Sequence, residues 1–267
     1  MKARGCGVLL LAAMAAPLVL ALVASLRPEA ELQDSASALP TALTLDHYRA
    51  LFERHHFVRP ILNSLLVAAL TTALAVPVAA ACAYALARMT FRGRGAVLAL
   101  VLAVTMFPQV SIVSPLYLLL RGVGLVDTYP GLVLPYLTFA MPLAVWLLVG
   151  QFRALPRELE EAAFVDGASR VRTLVEIVMP PALPGVITTA ILTFVYCWNE
   201  LLFALAFTVG EDHRTVPVAI ALFRGQYQVP WGEILAGAIV ASLPVVLLVL
   251  AVSRRIVSGL TAGGVKG

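Results

Sequence analysis

The chain has 267 residues, of which 61% are hydrophobic and only 13% charged, with a formal net charge of +4. Soluble domains carry roughly 25% charged residues, so this sequence is built for lipid and a water-soluble globular fold is excluded. No basic patch is interleaved with aromatics, which leaves no footprint for nucleic acid.

A membrane-crossing helix needs about 20 mostly apolar residues. Five charge-free runs meet this, at about residues 8–26, 61–86, 96–120, 131–150 and 234–252, and a sixth at 186–209 is interrupted by Asn199 and Glu200. The expectation is an all-α polytopic membrane protein, a single domain over residues 1–267 with six transmembrane helices. Lys2 and Arg4 precede the first run as in a signal peptide, but the run is longer than a usual signal core and no small-x-small site follows. It is therefore expected to stay as a span.

The loop from Arg27 to Pro60 contains TLDHYRALFER, where Leu45, Tyr48, Leu51 and Phe52 predict one face of a short amphipathic helix at the interface. His55 and His56 beside it do not share a helix face and have no third ligand nearby, so no metal site is expected. In the second span Asn63, Ser64, Pro77 and Tyr84 are the polar or kinking residues. Pro108, Gln109, Ser111, Ser114 and Pro115 play that part in the third. Such groups suit helix packing, and equally a gated polar pathway.

Between the fourth and fifth runs, Gln151 to Gly185 is polar and helix-patterned. Pro156 suits a first helical turn, Glu158, Glu160 and Glu161 complement the dipole, and Gly167 stops the helix. Ser169 is a candidate N-cap for a second helix with Val171, Leu174, Val175 and Val178 on one face, ended by Pro180 and Pro181. In the fifth apolar interval, at 186–209, Glu200 is the costly residue, because a carboxylate in a span must pair or face water. With Asn199 it either ties helices together or lines a translocation path. The stretch Gly210 to Glu233 is amphipathic and could form a partner surface.

Twelve of the 19 basic residues lie in the termini, residues 87–95 and residues 151–185, against seven in the opposite loops. By the positive-inside bias both termini and the 151–185 loop are cytoplasmic. Lys2 and Lys266 are the only lysines, so no GxxxxGK[ST] loop exists and any ATP must be handled by another chain. HExxH and GxSxG signatures are absent, and Cys6, Cys82 and Cys197 have no metal-ligand spacing. Neither catalytic residues nor a metal site are expected.

Glu161-Ala162-Ala163, three residues, Gly167, nine residues, Ile177, one residue and Met179-Pro180 resembles the EAA-x3-G-x9-I-x-LP loop of ABC importer membrane subunits, with Met179 in place of leucine. Asp166, Ala168 and Ser169 complete an EAAxxDGAS form similar to the carbohydrate branch, which contains the maltose and trehalose type permeases. Asn63-Ser64, residues 83–88 (AYALAR), Phe107-Pro108, Trp198-Asn199-Glu200, residues 215–218 (TVPV) and the tail 259–267 (GLTAGGVKG) look like the same branch.

The resemblance implies a type I ABC importer permease in a bacterial or archaeal plasma membrane, carrying a di- or oligosaccharide. Its implied partners are a second homologous permease subunit, two cytoplasmic ATPase subunits that hold ATP and magnesium, and an extracytoplasmic solute-binding protein. No cofactor is implied on this chain. Residues 151–185 become the coupling loop, with Glu161, Ala162, Ala163, Asp166, Gly167, Ala168 and Arg170 at the ATPase. Residues 210–233 would face the binding protein and the 259–267 tail the ATPases. Asn199, Glu200, Gln109, Ser111, Asn63 and Tyr84 are the candidates for the sugar path. The alternative is a secondary transporter or channel for a small polar solute, which has no need of a two-helix docking loop.

Overall fold

A computed structural model describes residues 2–33, 42–223 and 229–263, with side chains described between residues 13 and 252 of those ranges. Among the described residues the regular structure is entirely helical. In chain order the helices are α1 (Lys2–Ser25), α2 (Glu29–Gln33), α3 (Asp46–Glu53), α4 (Val58–Arg88), α5 (Arg94–Met106), α6 (Gln109–Gly122) and α7 (Tyr129–Ala154). There follow α8 (Glu158–Val165), α9 (Arg170–Arg172), a π turn (Thr173–Val178), α10 (Met179–Trp198), α11 (Leu202–Phe207), α12 (Val216–Ala221) and α13 (Trp231–Gly263). Among the described residues, four helices are long and apolar enough to cross a membrane: Val58–Arg88, Tyr129–Ala154, Arg170–Trp198 and Trp231–Val252. The pair α5 and α6 adds a fifth if it counts as one broken span, and Ala13–Ser25 is a shorter apolar helix.

Three expectations from the sequence change here. The run 96–120 is not one gently kinked helix but two, α5 and α6, which meet at 91°. Pro108 has no amide hydrogen and pushes the preceding residue out of the helical region, and Phe107 and Pro108 are both extended (ψ 132° and 113°). The run 186–209 breaks at Asn199–Leu201 and resumes as the short α11. Pro180 and Pro181 do not end a helix either, since Arg170 to Trp198 is continuous. Lacking amide hydrogens, these prolines leave the carbonyls of Glu176 and Ile177 without their α-helical donors. The chain takes up the mismatch as a π turn in which the Met179 amide bonds the Leu174 carbonyl five residues back.

The chain divides into two compact units, residues 1–62 with 215–247 and residues 63–214 with 248–267. In the first, the Glu29 carboxylate accepts from the amides of Trp231 (3.1 Å) and Gly232 (3.0 Å), capping the start of α13. Any side chain at Gly232 would overlap the His47 ring. His47, Ala50 and Leu51 are the buried face of α3, whereas Leu45 and Phe52 are 67% and 41% exposed. The predicted apolar face is therefore rotated, because α3 docks on its own unit: His47 Nε2 lies 2.8 Å from the Arg27 carbonyl and the Tyr48 hydroxyl 2.7 Å from Ser25 Oγ. His55 Nε2 pairs with Glu233 at 2.7 Å.

The second unit holds a buried apolar cluster. Ala79, Ala80, Ala83, Tyr84, Leu86 and Ala87 of α4 pack on Ala144, Val145, Leu148, Val149 and Phe152 of α7, with Val178 and Ala182 closing it. Lipid offers no hydrophobic drive between helices, so close approach through alanines supplies the packing. Gly131 is fixed by the same logic at the start of α7. Its amide donates to the capping Thr128 Oγ1 at 3.2 Å, and a Cβ there would run into the Leu125 carbonyl.

Candidate functional site

Residues 155–169, within the expected coupling loop, form a short helix and a sharp turn. α8 starts at Glu158, two residues after Pro156, with Glu158, Glu160 and Glu161 in its first turn. Gly167 has φ +77°, its amide bonds the Phe164 carbonyl at 3.1 Å, and the Ala168 amide bonds the Ala163 carbonyl at 2.9 Å. This is a glycine-terminated helix end in which a left-handed residue lets the last carbonyls find donors. Ser169 then caps the next helix, its Oγ accepting from the Arg172 amide at 3.4 Å.

The structure separates the loop residues into two faces. Glu161, Ala162, Asp166, Gly167 and Arg170 are exposed and Ala168 is half-buried, while Ala163 is turned inward and buried. The outer face also shows large apolar groups: Val165 and Phe164, which the sequence analysis did not name, are 87% and 41% exposed, Phe164 beneath the Arg170 guanidinium, and Val171, expected on the apolar face of the next helix, is 73% exposed. Nothing lies within 4 Å of the place a Gly167 Cβ would take. A surface of alternating charge and bare apolar side chains on a helix of about two turns suits a protein partner.

Inward, α8 is tied by contacts the sequence did not announce, among them one made by the path candidate Tyr84. Glu160 is 6% exposed, and its Oε1 lies 2.8 Å from Arg88 Nε at the last residue of α4. The approach is an ion pair off the hydrogen-bonding line. Arg88 Nη2 donates to the Leu155 carbonyl at 2.7 Å, and the Tyr84 hydroxyl donates to Glu160 Oε2 at 3.1 Å. The available signal was spacing: Glu160 and Ala163 lie three apart, on one face, opposite the exposed residues.

Of the path candidates, three come together. Gln109, Asn199 and Glu200 line a cleft of about 570 Å³ with Tyr196 and a wall of Leu143, Leu147, Leu192, Leu201 and Leu202. Gln109 Nε2 donates to the Tyr196 hydroxyl at 2.5 Å, and Asn199 Nδ2 to its own Val195 carbonyl at 2.8 Å. The Glu200 carboxylate accepts from the amides of Phe203 (2.8 Å) and Ala204 (3.1 Å), which makes it the cap of α11. Ser111 is exposed on α6 and Tyr84 is buried against Glu160. Asn63 is buried at the other end of α4, donating to the carbonyls of Asp212 (2.8 Å) and Arg214 (2.9 Å) and accepting from Tyr129 (2.8 Å). These three lie apart from the cleft lining.

A family profile described as binding-protein-dependent transport system inner membrane component matches residues 62–261. The chain is 44% identical to the trehalose transport system permease protein SugB of Mycobacterium tuberculosis over 91% of its own length and 89% of that protein. It is 42% identical to the trehalose/maltose transport system permease protein MalG of Thermococcus litoralis, over 79% of this chain and 77% of the relative. Identity to the sulfoquinovosyl glycerol transport system permease protein SmoH of Agrobacterium fabrum is 40%, over 94% and 88%. Among solved structures, a chain of a bacterial ABC transporter involved in import of the acidic polysaccharide alginate superposes with a TM-score of 0.72 at 20% identity, covering 95% of this chain and 94% of that one. At that identity the likeness speaks for the fold.

Proposed function

Because the chain belongs to the binding-protein-dependent transport system inner membrane component family, we propose that it is the permease subunit of an ATP-driven importer for a di- or oligosaccharide. It is a transport subunit and not an enzyme, with hydrolysis performed by separate chains. The observation that carries the sugar assignment is the identity of 40 to 44% to permeases named for trehalose, trehalose/maltose and sulfoquinovosyl glycerol. The secondary transporter or channel alternative gives way to that membership.

In this reading the protein has six spans with both termini cytoplasmic, the short apolar helix α1 and the bent pair α5–α6 each counting as one. It works beside a second homologous permease, two ATPase subunits carrying ATP and magnesium, and a solute-binding protein. The face of α8 bearing Glu161, Ala162, Phe164, Val165, Asp166 and Gly167, with Ala168 and Arg170 beyond it, seats in a groove of the ATPase. Apolar side chains supply contact area, and Glu161, Asp166 and Arg170 set register. Ala163 serves the same end from the inside, keeping α8 close to its own subunit. Nucleotide-driven closure of the ATPase pair then favours one of two permease conformations, and the cleft at Gln109, Asn199 and Glu200 belongs to the sugar path.

The test is Gly167→Trp in the complex with ATPase and binding protein. The new side chain fills the open space outside the turn, and φ +77° strains it. ATPase recovery in a pull-down and trehalose or maltose uptake should both fall at least about ten-fold, with the chain still inserted. Full recovery and uptake would sink the docking reading.

A further inference from the structure

We infer that Arg88, Glu160 and Tyr84 form the joint that delivers displacement of α8 to α4, which makes them positioning residues for coupled transport; this rests on the docking role of α8 given above. Within α8 only Glu160 and Ala163 are buried. The alanine can slide on its neighbours, whereas a buried carboxylate must keep its cation as it moves.

Arg88 ends α4 and Leu155 follows α7 directly. One guanidinium therefore joins the ends of two long helices to the coupling helix, through the Leu155 carbonyl at 2.7 Å and Glu160 Oε1 at 2.8 Å. Its position at a helix C-terminus adds the favourable dipole. Tyr84, one turn earlier on α4, holds the second carboxylate oxygen, and its ring meets Phe152 edge-on at 6.4 Å. The carboxylate is thus gripped from i and i+4 of the same helix. It cannot rotate about one contact while keeping the other.

The other end of α4 carries a matching clamp. Asn63 binds the carbonyls of Asp212 and Arg214 and the hydroxyl of Tyr129. Residues 63 and 88 stand about 38 Å apart along an unbroken helix. A push on α8 enters α4 at Arg88 and leaves at Asn63, beneath the loop 208–215. Chains of polar clamps and rigid elements are a physical route for such coupling.

The experiment uses the assembled transporter in proteoliposomes and reads sugar moved per ATP hydrolysed together with ATPase retention. Glu160→Ala and Arg88→Ala should keep the ATPase bound and hydrolysing while the transport ratio falls about ten-fold, within the range of coupling between distant sites. The charge swap Arg88→Glu with Glu160→Arg restores the ion pair but loses the Leu155 carbonyl and Tyr84 hydroxyl contacts, so it should recover only part of the ratio. Singles that transport at the wild-type ratio, or a swap whose ratio stays no better than that of the singles, would overturn the joint. Should the alanine variants fail to insert, Tyr84→Phe loses one hydroxyl and keeps the packing. A fall of about five-fold is then expected, the size of one hydrogen bond, and an unchanged ratio overturns the proposal. Failure of the ATPase to copurify with the wild-type chain would instead overturn the docking reading.

Discussion

Glu200 sits in an apolar interval where an unpaired carboxylate would be costly. Its two oxygens take the amides of Phe203 and Ala204, so the negative group stands at the positive end of α11 and satisfies two of its orphan donors. Asn199 likewise turns back on the Val195 carbonyl. The pair thus breaks the helix, restarts it and still borders the cleft. Glu200→Leu leaves two amides without acceptors and should cost about 1–3 kcal/mol per orphaned group, seen as a lower denaturation temperature in detergent. Glu200→Gln keeps one acceptor and should lose less. Equal stability of all three forms would remove the capping role and leave the cleft as the residue's only purpose.

The helix that enters the membrane from α9 shows how a proline pair can be absorbed. Pro180 and Pro181 read in sequence as a stop, yet both fall within the first turn of α10, where missing amides are tolerated, and the turn before them widens to π geometry. The widening shifts register by about one residue, or about 100° of rotation between α9 and α10. That rotation sets where Ser169 and Arg170 stand relative to α10. Replacing both prolines by alanine restores two donors and should return Thr173–Val178 to α-helix. ATP-coupled uptake should then fall about ten-fold with helical content by circular dichroism unchanged or higher; full uptake would show that the π turn has no part in placing the loop. The bend between α5 and α6 is a second proline effect, where the sequence suggested only a kink at Pro108.

Distribution of charge predicts which ends of the helices share a side. With native cysteines replaced, Ser169→Cys and a cysteine appended after Gly267 should react with an impermeant thiol reagent from the cytoplasmic side only. Glu211→Cys should react from the opposite side. Reaction of positions 169 and 211 from one side would overturn the six-span arrangement.

Hydrophobic run length was enough to identify a helical membrane protein and most of its long helices, since satisfying backbone groups in lipid leaves a segment few choices. Local turn chemistry was enough for Gly167 and Ser169, whose roles depend on neighbours within a few residues. Other features are contacts between segments far apart in the chain. Arg88 meets Glu160 across 72 positions and Asn63 meets Arg214 across 151. No periodicity in one segment announces the carboxylate or carbonyl that another will bring. The same holds for α3, whose buried face was chosen by Ser25, Arg27 and Gly232 and not by its own apolar pattern. Local geometry follows from residues in sequence, but which polar groups stay buried is decided only when the helices pack, because a partner must be present before burial becomes affordable.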